Sequence, residues 1–147
     1  MGYKISRGTP IGVVSKTVSS LSGGMFGSGN DIAIPGDQMA RLSISMTKEQ
    51  RESYVEDMKW IAQFPQYVVW DADSSSLYYI GEIFSGSGCV RKALELDVAR
   101  EGSGHSGLAE VIGYSDVSPL WIADQKQKGH LFAFRPSCGD SDLVQVL

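Results

Sequence analysis

The sequence predicts an α+β fold, a mostly antiparallel sheet with covering helices, and three observations predict it. Residues 67–70 and 78–84 are β-branched and aromatic runs that flank a polar stretch of turn formers, 71–76, which is the pattern of an antiparallel hairpin. The segment Lys48–Gln63 carries apolar residues at helical spacing behind a capping signal. The 147 residues contain no interdomain linker and no internal repeat, so one domain spanning 1–147 is expected, long enough to bury a full core.

Taken in order, the first distinctive stretch is 19–30, where glycine and serine crowd around Met25 and Phe26. It reads as a flexible loop, because glycine adds backbone freedom and little contact area. In the helix that follows, Thr47 and Gln50 match a capping box. Tyr54, Val55, Met58, Ile61 and Ala62 fall on one stripe opposite Arg51, Glu52, Glu56 and Lys59, and the stripe reads as core rather than as a partner groove. Phe64-Pro65 ends the helix, since proline disfavours helical angles in the residue before it. After the hairpin, Gly86 and Gly88 allow a sharp structural turn. Val90, Ala93, Leu94 and Asp97 then recur at helical spacing and predict a helix that packs back on the sheet. A glycine pair before a helix invites a phosphate site. The Gly-Lys-Ser step and the third glycine that such sites use are missing, so close packing is the better reading. Toward the carboxyl end, 120–123 and 131–134 read as strands joined by a polar hairpin loop, and 143–147 as a final strand.

The run Trp70-Asp71, a short turn, Leu77-Tyr78-Tyr79, then Phe84-Ser85-Gly86-Ser87-Gly88 followed by Ala93-Leu94-Glu95 resembles the middle of proteasome β-subunits and bacterial proteasome-like peptidases. These are N-terminal-nucleophile hydrolases, and the resemblance covers mainly 67–124. It implies a reduced αββα sandwich, with the helix after Gly88 followed by a second one containing Leu108, Ala109, Val111 and Ile112. On the same resemblance, 31–37 is similar to the family's second strand and Asp37 to the aspartate that sets the nucleophile's surroundings. Gly8-Thr9 is similar to the self-cleavage junction, with Thr9 the nucleophile and Lys48 the nearest counterpart of the family's lysine. Pro10 after Thr9, the glycine-rich insertion between Thr9 and Asp37, and the lack of a good counterpart for the family's lysine leave that catalytic set incomplete.

Net charge of -4, pI near 5.1 and scattered basic residues argue against a nucleic-acid surface. Lys126-Gln127-Lys128 reads as part of a solvated loop. No apolar run suits a membrane span and no leader-like core opens the chain, so cytoplasmic residence is expected. Cys89 and Cys138 read as reduced thiols, and with His105 and His130 they lack metal-ligand spacing, so neither a metal nor another cofactor is expected. Cys89 beside a glycine turn is a conceivable nucleophile, but packing is the better reading. The expected function is a proteasome-like fold with an incomplete active site, not an enzyme but a protein-binding or assembly module. A protein partner is expected, and the resemblance implies a homo-oligomer. The alternatives are a threonine-nucleophile amidohydrolase or peptidase activated by cleavage after Gly8, and an unrelated small α+β protein-binding protein.

Overall fold

A computed structural model describes residues 8–85, 88–98 and 109–135. In chain order these form β1 (Thr9–Val13), α1 (Lys16–Leu21), β2 (Asp31–Ile34), α2 (Gly36–Ser45), α3 (Lys48–Gln63), β3 (Tyr67–Asp71), β4 (Ser76–Ser85), β5 (Gly88–Val98), β6 (Ala109–Asp116), α4 (Pro119–Gln127) and β7 (Leu131–Ala133). The fold is α+β. One seven-stranded sheet runs in the order β1-β2-β6-β5-β4-β3-β7. Its pairs are antiparallel except β2 with β6, a parallel pair whose crossover contains α2, α3 and three intervening strands. The second sheet of an αββα sandwich is not found among the described residues.

The sheet separates two cores. On one face Ile11, Ile32, Ile34, Val68, Leu77, Tyr79, Leu94, Leu96 and Val111 pack with Met58, Ile61 and Ala62 of α3. On the other, Tyr67, Val69, Ile80 and Ala93 pack with Ile122 of α4. Alternation along β3 and β4 explains this division, because successive side chains of a strand point to opposite faces. α3 forms as its sequence requires: Thr47 accepts from the Gln50 amide, the Gln50 side chain reaches back to the Thr47 amide, and Phe64 closes the helix. It then lies close on the sheet at two small residues. A Cβ built on Gly81 of β4 would lie 2.7 Å from Ile61 Cγ1, and one on Gly12 of β1 would lie 3.3 Å from the Ala62 Cβ.

Several sequence expectations are corrected. The helix expected over 90–99 is strand β5: Ser85 pairs with Gly88 and the ladder with β4 continues to Leu77 and Leu96. Gly88, at φ +136°, opens strand β5 and pairs with Ser85 instead of leading into a helix; Gly86 lies outside the described residues. Lys92, Leu94 and Leu96 alternate with Ala93, Glu95 and Asp97, so a period of two competes with the helical spacing, and the chance to pair with β4 decides between them. The helix expected around Leu108–Ile112 is β6 from Ala109 onward; Leu108 lies outside the described residues. Opposite Glu95 and Leu96 the β6 register slips, leaving Ile112 bulged outward.

Conversely, the strand and loop expected over 120–130 are mostly helix α4. Ser118 caps it by accepting from the Trp121 amide, and Pro119 occupies the first turn, where its missing N–H costs nothing. β7 therefore pairs with β3, not with 120–123. Within 19–30, Ser19, Ser20 and Leu21 belong to α1, and Phe26 is buried, its ring edge-on to Trp70 at 6.2 Å. Helix α2 has no counterpart in the sequence reading; it buries none of its residues fully and docks through Met39 and a Gln38 Nε2 hydrogen bond to the Val111 carbonyl at 2.6 Å. The strand expected over 143–147 lies outside the described residues. Cys89 is disulfide-bonded rather than a reduced thiol; the other cysteine of the sequence, Cys138, lies outside the described residues. Disulfides persist mainly in oxidising compartments, so the thiol chemistry lends no support to cytoplasmic residence. Among the described residues no helix is long and apolar enough to cross a membrane.

The contact at Gly81 is testable. Gly81→Ala should lower stability by about 1–3 kcal/mol through overpacking against Ile61. In an Ile61→Ala background the same change should cost less, because the crowding Cγ1 is gone, and a double-mutant cycle by chemical denaturation measures the difference. An equal cost in both backgrounds would rule out this contact as the constraint.

Candidate functional site

The residues singled out as a catalytic set occupy three different elements. Thr9 opens β1 and pairs across from Ile34. Asp37 is in the first turn of α2, exposed, with its carboxylate 3.6 Å from Arg41 one helical turn on. Lys48 begins α3 and is exposed. No hydrogen bond or ion pair among the described residues joins any two of the three. The preceding Gly8 has a structural reason to be glycine: its φ is +82°, and a Cβ there would meet the Ile34 carbonyl oxygen. Cys89, the alternative nucleophile, is exposed on β5 and held as a disulfide.

Two cavities instead collect side chains of consistent chemistry. The first, about 540 Å³, opens at the carboxyl end of α3. Gly12 and Val13 of β1, Val18 of α1, Ala62 and Pro65 at the end of α3, Tyr79 of β4 and Phe134 just beyond β7 line it. β1 and β7 are opposite edges of the sheet, so its two edges converge on this end of the helix. The lining is mostly apolar, and burial holds the Tyr79 hydroxyl well above the usual phenol range, so it stays protonated.

Large apolar side chains continue outward from this cavity. Trp60 and Phe64, 42% and 50% exposed, meet at a tilt of 43° with centroids 4.8 Å apart. Arg135 lies over the Trp60 ring at 5.6 Å and donates its Nε to the Phe64 carbonyl at 3.1 Å, which ties the residue after Phe134 to the pair. Trp60 was not selected by sequence reasoning: it lies off the stripe that faces the core, and its exposure becomes meaningful only once Phe134 and Arg135 arrive from a distant part of the chain. Next to the cavity-lining Pro65, the Gln66 side chain is fully buried, and its amide nitrogen and oxygen have no hydrogen-bond partner among the described residues.

The second cavity, about 430 Å³, lies on the opposite face beside α4 and is more polar. Tyr78, Glu95, Ser115, Ser118 and Trp121 are among its lining residues. Tyr78 and Trp121 meet edge to face at 5.1 Å, and the Tyr78 hydroxyl donates to Glu95 Oε2 at 3.5 Å. Burial, with the Glu95 charge added, raises the Tyr78 hydroxyl above its ordinary value. Among the described residues no group of three or more His, Cys, Asp or Glu side chains is placed to hold a metal ion.

No protein family, characterised protein or solved structure matches this chain. The likeness to proteasome β-subunits therefore rests on the sequence letters alone. The geometry thus presents two hollows, a mostly apolar one with aromatic residues beside it and a more polar one lined by a carboxylate and by two rings that meet edge to face.

The orphaned amide beside the first cavity supplies a direct check. Leaving a buried amide unpaired costs roughly 1–3 kcal/mol, so Gln66→Met, of similar shape and without polar atoms, should raise the denaturation midpoint. A fall in stability would mean that the amide holds a partner of its own.

Proposed function

We propose that this chain acts by binding another protein, through the apolar cavity at the end of α3 and the aromatic side chains around it. The observation that carries the reading is the exposure of Phe134 in the wall of a mostly apolar cavity, with exposed Trp60 and Phe64 at the same end of α3. Clustered apolar surface next to a well-formed hollow is characteristic of interaction sites, where a few aromatic and arginine residues supply most of the binding energy. The occupant is a polypeptide segment that inserts a large apolar anchor into the hollow and sets an acidic residue against Arg135 at the rim. Kinship to proteasome β-subunits is not needed for this reading, though it agrees with the binding or assembly role expected from that resemblance.

Selection from a displayed peptide library on the purified chain provides the test. Enriched peptides should share a large apolar residue next to an acidic one, and Phe134→Ser and Trp60→Ser should each weaken their binding by about tenfold or more. Both positions are partly exposed, so circular dichroism should be unchanged. Absence of such peptides, or affinity indifferent to both substitutions, would defeat the proposal. A dimeric wild-type mass that becomes monomeric in Phe134→Ser would instead seat a second copy there and overturn the reading of a different protein as partner.

Intact mass separates this reading from the threonine-nucleophile alternative. A binding module keeps residues 1–8, whereas self-cleavage before Thr9 would remove them and would stop in Thr9→Ala. We expect the uncleaved mass in both proteins.

A further inference from the structure

The polar cavity on the other face of the sheet is chemically distinct from the apolar one, and its properties converge on the Glu95 carboxylate. Glu95 is half-buried, yet no ion pair reaches it among the described residues. The basic side chains nearest along β5 have other carboxylate partners: Arg91 pairs with Glu82 at 3.5 Å, and Lys92 with Asp116, a second acidic residue of the cavity lining. The Glu95 carboxylate therefore faces the hollow with no cation of the described residues paired to it. Oε2 accepts one long hydrogen bond from Tyr78. Oε1 lies above Gly113 of β6, where a Cβ would come within 3.3 Å of it, so the glycine leaves the space beside this oxygen uncrowded. The Tyr78 and Trp121 rings stand at 73° to each other in the wall of the same hollow.

We propose that this hollow binds an organic cation of the guanidinium or alkylammonium class, with Glu95 as counter-charge and the rings of Tyr78 and Trp121 as walls. An aromatic face attracts a cation through its negative quadrupole, and a carboxylate at the side adds a charge-assisted hydrogen bond. The cavity of about 430 Å³ has room for an arginine or lysine side chain. The site lies on the face opposite the apolar cavity and uses none of its residues, so the two proposals stand or fall separately.

The test uses the full chain labelled with 5-fluorotryptophan, whose three resonances report Trp60, Trp70 and Trp121, with Trp121→Phe giving the assignment. Titration with acetyl-arginine-amide should move the Trp121 resonance and leave the other two in place. The citrulline analogue, equal in shape but neutral, should bind about tenfold more weakly or not at all. Glu95→Gln should reduce arginine binding by a similar factor. Agmatine and acetyl-Gly-Arg-Gly-amide, titrated in parallel, distinguish a free amine from a side chain presented on a polypeptide by which of them binds more tightly. No movement of the Trp121 resonance, equal affinity for the citrulline analogue, or undiminished binding in Glu95→Gln would overturn the proposal. Should Glu95→Gln fail to fold, the arginine and citrulline comparison on the wild-type chain still decides it.

Discussion

The seating of α3 on the sheet is the constraint from which the rest of the structure follows. Ile61 and Ala62 can approach β4 and β1 only because Gly81 and Gly12 offer no side chains at the points of contact. With the helix that close, Met58, Ile61 and Ala62 reach a core shared by β1, β2, β3, β4, β5 and β6. The apolar area removed from water there supplies the main stabilising term, at roughly 25 cal/mol per Å². The capping box at Thr47 and the stop at Phe64 set where the helix begins and ends, and so which residues meet those two glycines.

The same seating creates the apolar cavity. Opposite edges of the sheet converge at the end of α3, and the residues meeting there include the small Gly12 and Ala62. They close the contact between helix and strand but do not fill the space as far as Phe134. A hollow with aromatic residues at its mouth is the result. The docking role proposed for it would follow from how the helix ends, and would require no reactive residue in it.

The second face is governed by a different limit. α4 covers β3 and the middle of β4 and β5 through Ile122, and Trp121 reaches Tyr78, but a nine-residue helix does not extend across a seven-stranded sheet. Glu95 sits where that cover ends. It is half-buried at the edge of the cavity, with Gly113 leaving room beside its Oε1. The polar cavity is thus the margin of a partly covered sheet, as the apolar one is the margin of a helix.

Local signals were sufficient for some elements. Thr47, Gln50 and Phe64-Pro65 define α3 within a few residues, because capping and termination act over one turn of chain. Tyr67–Asp71 and the following strand are legible for the same reason: β-branched and aromatic side chains flank a polar turn, and Ser75 takes the positive φ that the turn requires. The cap of α4 was also present in the sequence, as Ser118-Pro119, but it reads equally well as the end of the element before it.

The sequence by itself determined the α+β class, the helix that anchors the core and the hairpin beside it, since their information lies within a few neighbouring residues. Tertiary structure decided that Gly88–Val98 and Ala109–Asp116 are strands, because their side chains fit both a period of two and a period near 3.6, and only pairing, of the first with β4 and of the second with β5 and β2, separates the two. It alone brought Phe134 and Arg135 to Trp60 and Phe64, and placed the Glu95 carboxylate between Tyr78 and Gly113. Those neighbours come from separate stretches of chain, and the distances between them depend on strand register and helix seating, which no short window of residues encodes.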